Sequence, residues 1–403
     1  MFNRHEKLLL ALMAAIHFCH VVDFMIMMPL GPQLMRLFSI SPQKFGFLVS
    51  SYTFSAGISG LLCSLFLDRF DRKKALLFFF VSFAIGTIAC AVSRSYPLLL
   101  LSRSLTGFFG GVLTSIILSV VGDAISIERR GTAFGIVMGA FSIASIFGVP
   151  FSLYLANTYD WHAPFMFLGV TSLFIALLVS IWMSPMSAHL KGPHSGNSDP
   201  LLAIRHLLKS PHQLRALGFM ACLVFGQFSI IPFLSPSFVS NAGLPEGELP
   251  LVYLCGGVVA IFASPGFGRL ADVFGKRKIF YFGSLASVPL MLLITMLGPT
   301  PRALLLTLSG GFFLVLSGRM VPAMAMVSAT ASPRFRGSFM SIVASVQQFS
   351  SALAAGYAGL IVTRDATGRL QNYSTIGWNA ALFTGLAIWM ASLTEFEEKP
   401  PIS

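Results

Sequence analysis

Asp23 stands in an apolar run with His20 and His17 three and six residues before it. On a helix that spacing spreads the three side chains over about 120° of one face. A carboxyl and two imidazoles so arranged can take up, hand on and release a proton. The other acids fall in connections, tails or the ends of apolar runs, and the other six histidines lie outside those runs. Arg103 and Arg319 are the two arginines placed well inside comparable runs.

The elements that must position these groups are hydrophobic. Of the 403 residues 55% are hydrophobic and only 10% are charged, with a mean hydropathy of +0.79, a composition that a water-soluble globule could not hide. About 20 apolar residues in a helix cross the hydrocarbon core of a bilayer. Runs of that kind are predicted at 8–30, 45–67, 75–93, 97–121, 133–157 and 164–185, then at 216–240, 250–271, 279–298, 303–331, 339–362 and 376–394. The expected fold is an all-α membrane protein with twelve transmembrane helices in two pseudo-symmetric six-helix bundles.

With both termini cytoplasmic, most of the 27 lysines and arginines fall on the cytoplasmic side, as the positive-inside rule requires. The net charge of +12 therefore reads as a mark of topology beside membrane lipids, not of nucleic-acid binding. Arg4 and Lys7 before an apolar run superficially resemble a secretory signal, but the run reaches about Leu30 and contains Asp23, so it is read as an uncleaved first span. Cys19, Cys63, Cys90, Cys222 and Cys255 all lie in apolar runs without metal-ligand spacing and are expected as small buried hydrophobes. No metal or cofactor is expected.

A charge near the bilayer centre costs about 2.5–3.5 kcal/mol on insertion scales, so ionisable groups there are candidates for function. At a rise of 1.5 Å per residue Asp23 lies roughly 22 Å from the cytoplasmic edge and Arg103 roughly 9 Å from the outer edge. In a core about 30 Å thick they reach nearly the same level. A direct or water-bridged pair is expected, with Asp23 binding a coupling proton, Arg103 tuning it, and His20 and His17 as relay or polar neighbours. Burial disfavours a carboxylate and a neighbouring cation favours it, so a movement that alters either can load and unload a proton. A static ion pair, and histidines satisfied by backbone carbonyls, are the structural alternatives.

Arg319 lies some 24 Å from the outer edge, too deep to join Asp23. Ser317, Gly318 and Pro322 beside it suggest a locally irregular helix whose arginine attracts an anionic group or gates the cytoplasmic mouth; snorkelling is the alternative. Gln227 stands within one residue of Asp23's counterpart in the second half. With Gln347 and Gln348 it is a candidate substrate contact, or a helix-to-helix hydrogen bond.

One loop occurs twice, Asp68-Arg69-Phe70-Asp71-Arg72-Lys73-Lys74 and Asp272-Val273-Phe274-Gly275-Lys276-Arg277-Lys278, half the chain apart. Arg130-Gly131-Thr132 and Arg336-Gly337-Ser338 repeat with nearly the same offset. The chain is thus two copies of one unit, 1–185 and 216–403, joined by a Gly- and Pro-containing cytoplasmic linker at 186–215. Within that linker Leu201–Leu208 has spacing suited to an interfacial helix or belongs to a solvated tether.

The repeated loop resembles the signature G-x-L-a-D-R-x-G-R-[KR] of the major facilitator superfamily. Gly268, Leu270, Asp272, Gly275, Lys276 and Arg277 match it in the second copy, and Asp68, Arg69, Arg72 and Lys73 in the first, where Ser64 and Asp71 replace glycines. Leu99, Arg103 and Gly107 are similar to the fourth-span signature, with Thr106 in place of glutamine. Gly148-Val149-Pro150 loosely resembles the fifth-span antiporter signature, with Val149 inserted. The resemblance covers the whole chain and points to the twelve-span drug:proton antiporters and sugar-efflux-like permeases. It implies two bundles rocking about a midplane site, and a cytoplasmic latch in which Asp68 acts near Ser338 and Asp272 near Thr132, where helix N-termini favour anions and the hydroxyls can cap. Arg69, Arg72, Lys73, Lys276 and Arg277 would add charge contacts; anchoring of topology is the plainer role for these cations.

The function expected is secondary active transport by alternating access, with proton-coupled efflux of a small organic molecule by a monomer in a bacterial inner membrane. Symport or facilitated diffusion could use the same residues. The sequence holds no Walker-type nucleotide loop and no convincing nucleophile–base pair, so neither an ATP-driven pump nor an enzyme is expected, and a non-transporting receptor is a distant reading.

Overall fold

In hydrocarbon a backbone survives only by bonding to itself, which is why the apolar runs become helices. The structure, a computed structural model, describes residues 2–64, 67, 70–187, 210–331 and 336–394, the side chains of 64, 127, 128, 336 and 337 excepted. Its helices are α1 (Arg4–Ile26), α2 (Gly31–Leu37), α3 (Pro42–Ser64), α4 (Arg72–Ala91), α5 (Tyr96–Gly110), α6 (Leu113–Ala124), α7 (Ile127–Ile143), α8 (Val149–Thr158) and α9 (His162–Trp182). There follow α10 (Pro211–Ser240), α11 (Leu249–Phe274), α12 (Lys276–Thr295), α13 (Arg302–Ala329), α14 (Arg336–Ile361) and α15 (Tyr373–Leu393).

Each predicted span has a helical counterpart, and 11 of them are long and apolar enough to cross a membrane. The twelfth, α14, has 26 residues but carries Ser345, Gln347, Gln348, Ser350 and Ser351 along its length. The fourth span is α5 and α6, broken where Gly110 and Gly111 meet. The fifth is α7 and α8, joined by a π-helical turn at Ala144–Gly148. Pro150 lacks the N–H that would continue the ladder, and a π turn takes up the resulting change of register. By contrast α13 runs unbroken past Ser317, Gly318 and Pro322, so the irregularity expected there is absent. A proline removes one N–H, and its neighbours in a bundle absorb that loss.

Compact packing divides the chain into Met1–Met27 with Ser51–Pro200, and Met28–Ser50 with Leu201–Ser403. In the first unit the core gathers Leu10, Met13 and Ile16 of α1 with Phe80 and Phe83 of α4, Ile116 of α6, Val137 of α7 and Val179 of α9. The α1 N-terminus is closed by a capping box between Asn3 and Glu6, and Glu6 also accepts two bonds from Arg129 at 2.8 and 2.9 Å.

The second unit packs Phe219, Leu223, Phe280, Met326, Phe339, Val343 and Ala387 together. It includes residues 28–50, which the duplicated pattern assigns to the first half: Arg36 at the end of α2 pairs with Glu246, and a Cβ on Gly46 would lie 2.7 Å from the Ala355 carbonyl. Thr363–Arg364 and Leu370–Gln371 form a small hairpin. Its Asp365 carboxylate accepts from Thr367 and Gln371, which hold its pKa down to about 2. The linker helix suggested at Leu201–Leu208 lies outside the described residues.

Candidate functional site

Three neighbouring helices bring polar groups together inside the first unit. Asp23 comes from α1, Thr87 from α4 and Arg103 from α5. Arg103 Nη1 donates to Asp23 Oδ2 at 2.8 Å, and the two side chains are 1% and 0% exposed. The pair is direct. Thr87 Oγ1 lies 3.1 Å from Asp23 Oδ1 and 3.1 Å from the Phe83 carbonyl of its own helix. A hydroxyl has one proton, so Thr87 shares it between the carboxylate and the backbone.

A fourth element, α3, supplies a lid of aromatic electrons. The Arg103 guanidinium carbon lies 4.4 Å from the centre of the Tyr52 ring and 6.0 Å from that of Phe165 on α9, within the range of cation–π attraction. Glycine makes this approach possible. A Cβ on Gly107 would fall 2.3 Å from the Tyr52 carbonyl oxygen, and one on Gly111 2.5 Å from the Ala56 Cα. Helices α3 and α5 therefore meet backbone to backbone.

The π turn has the same kind of role against α1. A Cβ on Gly148 would lie 2.3 Å from Val22, one residue before Asp23. Ser145 in that turn donates its hydroxyl to the Phe141 carbonyl at 3.0 Å and lies 3.7 Å from the Met25 sulfur. The glycine at 148 thus lets the π turn lie close against α1 beside Asp23.

His17 and His20 extend the polar face of α1, with ring centroids 6.3 Å apart. No ring nitrogen of either bonds to a described residue, so backbone carbonyls do not satisfy them. Burying an imidazole without a partner costs free energy. The Tyr52 hydroxyl is likewise buried and unbonded. Tyr52→Phe is therefore expected to leave the unfolding temperature in detergent unchanged or slightly raised, since an orphan hydroxyl is removed and the ring stays. Tyr52→Leu should lower it, by about 1–2 kcal/mol in stability, through loss of the ring contact.

In the second unit Arg319 is fully buried on α13, with Nη1 bonded to Ser287 Oγ at 3.0 Å and Met291 Sδ at 3.5 Å. Gln227 has a buried carbonyl oxygen without a partner among the described residues. Gln347 donates to the Met324 sulfur at 3.4 Å, and Gln348 is half-buried.

Of the expected latch residues, Asp68 and Arg69 lie outside the described residues. Arg72 pairs with Asp123 at 3.2 Å, and Lys73 donates to the Ser180 carbonyl at 2.8 Å. Arg277 donates to the carbonyls of Ala391 and Thr394 at 3.0 and 2.7 Å. These cations fasten helix ends within their own units. Asp272, Thr132 and Ser338 are exposed and Lys276 half-buried. Gly275, with φ of 95°, makes the tight turn between α11 and α12 that a glycine permits.

Thr87, Tyr52 and Asp123 escaped the sequence reading. Polar Ser and Thr are common in these runs, and only the helix rotations single out Thr87. Tyr52 is one of eight tyrosines, with nothing in its neighbours to mark it.

The Major Facilitator Superfamily model matches residues 13–355. The MFS-type transporter YwfA of Bacillus subtilis (strain 168) is 23% identical over 389 residues, covering 95% of this chain and 91% of that protein. A Helicobacter pylori protein named "Probable sugar efflux transporter" is 24% identical over 258 residues, 64% of each chain. Among solved structures, a bacterial homologue of the human lysosomal transporter Spinster superposes with a TM-score of 0.77 at 16% identity, covering 99% of this chain and all of that one. The xylose transporter XylE of E. coli gives a TM-score of 0.73 at 16% identity, covering 98% and 96%. A helical counterpart for each of the twelve predicted spans among the described residues, a multi-pass apolar composition and a family match across most of the sequence converge: this chain belongs to the major facilitator superfamily and is an integral membrane transporter.

Proposed function

We propose that the protein is a proton-coupled exporter of a small organic compound, working by alternating access as a monomer in a bacterial inner membrane with both termini cytoplasmic. One observation carries the reading: a carboxylate with no exposed surface, held by one arginine bond and one shared hydroxyl proton. Burial disfavours its charge and Arg103 favours it, so sliding α1 against α5 changes the balance between the two. Thr87 can follow either protonation state, because its proton has a second acceptor on its own helix. His20 and His17 continue the same face of α1 and give the proton neighbours on its way.

The direction of transport is supported by the names of the Helicobacter pylori relatives, which also favour a sugar-like solute. Gln227, Arg319, Gln347 and Gln348 of the second unit are the candidate contacts for that solute. Asp68 and Asp272 are the proposed acids of the latch between repeats 1–185 and 216–403, with Ser338 and Thr132 as their helix starts.

The test uses proteoliposomes with a pH dye inside, challenged with a panel of neutral sugars and sugar acids. Antiport predicts solute and proton moving in opposite directions. Movement in the same direction would make the protein a symporter, and solute flux without any proton movement would contradict the coupling.

A further inference from the structure

The second unit holds a buried charge that nothing described in the protein balances. Arg319 has no exposed surface. Only one of its three nitrogens is engaged, Nη1, by Ser287 and Met291. Nε and Nη2 have no partner among the described residues. Among the described acids of this unit, Glu246 pairs with Arg36 and Glu248 with Arg302, Asp365 is engaged in its hairpin, and Asp272 is exposed at the end of α11. An isolated buried charge costs several kcal/mol even after relaxation, and an arginine cannot shed its proton to escape that cost.

The way in which Arg319 is held is informative. Nε–H and Nη2–H lie along one edge of the planar guanidinium and form a two-pronged donor matched to the two oxygens of a carboxylate or of a phosphate. Ser287 takes the other edge and fixes the plane. Ser287 is itself fixed, because its hydroxyl lies 2.7 Å from the Ser284 carbonyl one turn earlier on α12. The Ser284 hydroxyl is a further buried group without a bond. Helices α12 and α13 have no freedom to close on the arginine: a Cβ on Gly283 would fall 2.7 Å from the Gly318 carbonyl, so their backbones already touch.

We infer that the free Nε–Nη2 edge of Arg319 binds an oxyanion, namely the carboxylate of the transported solute. The inference rests on the exporter reading for the direction in which that solute moves, and it narrows the solute to an acid. Hydroxyl-bearing neutral molecules lack the charge that the arginine calls for. Binding requires the helices around Arg319 to part from their fully buried arrangement, as alternating access provides.

Thermal unfolding of purified protein tests this without any gradient. The probes are sodium acetate, sodium gluconate and glucose at constant ionic strength. Wild-type protein should melt at a saturably higher temperature with at least one of the two carboxylates, since a ligand that binds only the folded state stabilises it. Arg319→Gln should abolish that shift, and its own melting temperature without ligand should not fall, because an unbalanced charge is gone. Arg319→Lys keeps the charge but loses the two-pronged edge, so its apparent affinity should drop at least about tenfold, the loss of one good charge-assisted bond. Ser287→Ala, which frees the plane, should weaken binding and serves if Arg319→Gln does not fold. No shift with either carboxylate in the wild type, or an undiminished shift in Arg319→Gln, would overturn the inference. Asp23 plays no part in this readout, so failure here leaves the proton-coupling account standing, and failure of proton coupling leaves this one standing.

Discussion

Replacing Arg103 with methionine should destabilise the protein by about 3–5 kcal/mol, the usual cost of removing one member of a buried ion pair. The flat size of that loss has a simple cause: Asp23 has no exposed surface through which water could replace the guanidinium. Thr87 offers only a shared proton. Asp23→Asn should also destabilise, since it strands the arginine, although the Tyr52 ring 4.4 Å away remains to receive the cation. The double variant Asp23→Asn/Arg103→Met removes both charges and should recover most of the loss. Unfolding temperatures of the four proteins form a double-mutant cycle. Simple additivity of the two single losses would mean that the pair does not act as a unit.

Gly107→Ala should cost about 1–3 kcal/mol, as overpacking does in tight interiors, and should lower transport more than stability alone explains. The added methyl would sit 2.3 Å from the Tyr52 carbonyl oxygen and 2.7 Å from its Cα. Backbone atoms cannot swing aside as a side-chain end can, so α3 must move as a body. That movement lifts Tyr52 from Arg103. Gly139→Ala is the matched control, because nothing lies within 4 Å of a Cβ there and alanine favours the helix by about 0.5–1 kcal/mol. A Gly107→Ala protein that melts and transports like Gly139→Ala would show that the close approach of α3 and α5 is not needed.

These two glycines also show what could and could not be read from the chain. Both belong to small-residue pairs within apolar runs, and in a linear sequence they look alike. Packing separates them: Gly107 is pressed by a neighbouring backbone, whereas Gly139 faces open space. The helices themselves were legible because a bilayer-length apolar run has no other stable conformation. Asp23 and Arg103 were legible because charge is costly there and rise per residue gives depth. Depth is a one-dimensional coordinate. It could place the two charges at one level, but Tyr52 and Thr87 depend on the rotation of each helix about its axis, which hydrophobicity all round a buried helix leaves open.

The breaks follow the same division. Gly110-Gly111 and Pro150 were visible as residues, yet the apolar pattern runs straight through them, so single spans were expected where α5–α6 and α7–α8 are interrupted. At Pro322 the reverse holds, and the helix continues. A proline marks a missing donor; its neighbours decide whether the helix bends. Residues 28–50 follow the duplication in sequence and the second unit in packing, since sequence repeats record ancestry while compactness records contacts.

The central claim is that Asp23 carries the coupling proton, and the most direct measurement is substrate-driven proton movement into liposomes containing the Asp23→Asn protein. An amide keeps the shape of the carboxyl and has no acidic proton to bind and release near neutral pH. The account predicts that the dye signal disappears while substrate binding, read separately by thermal shift, persists. Full proton movement in the Asp23→Asn protein would contradict it.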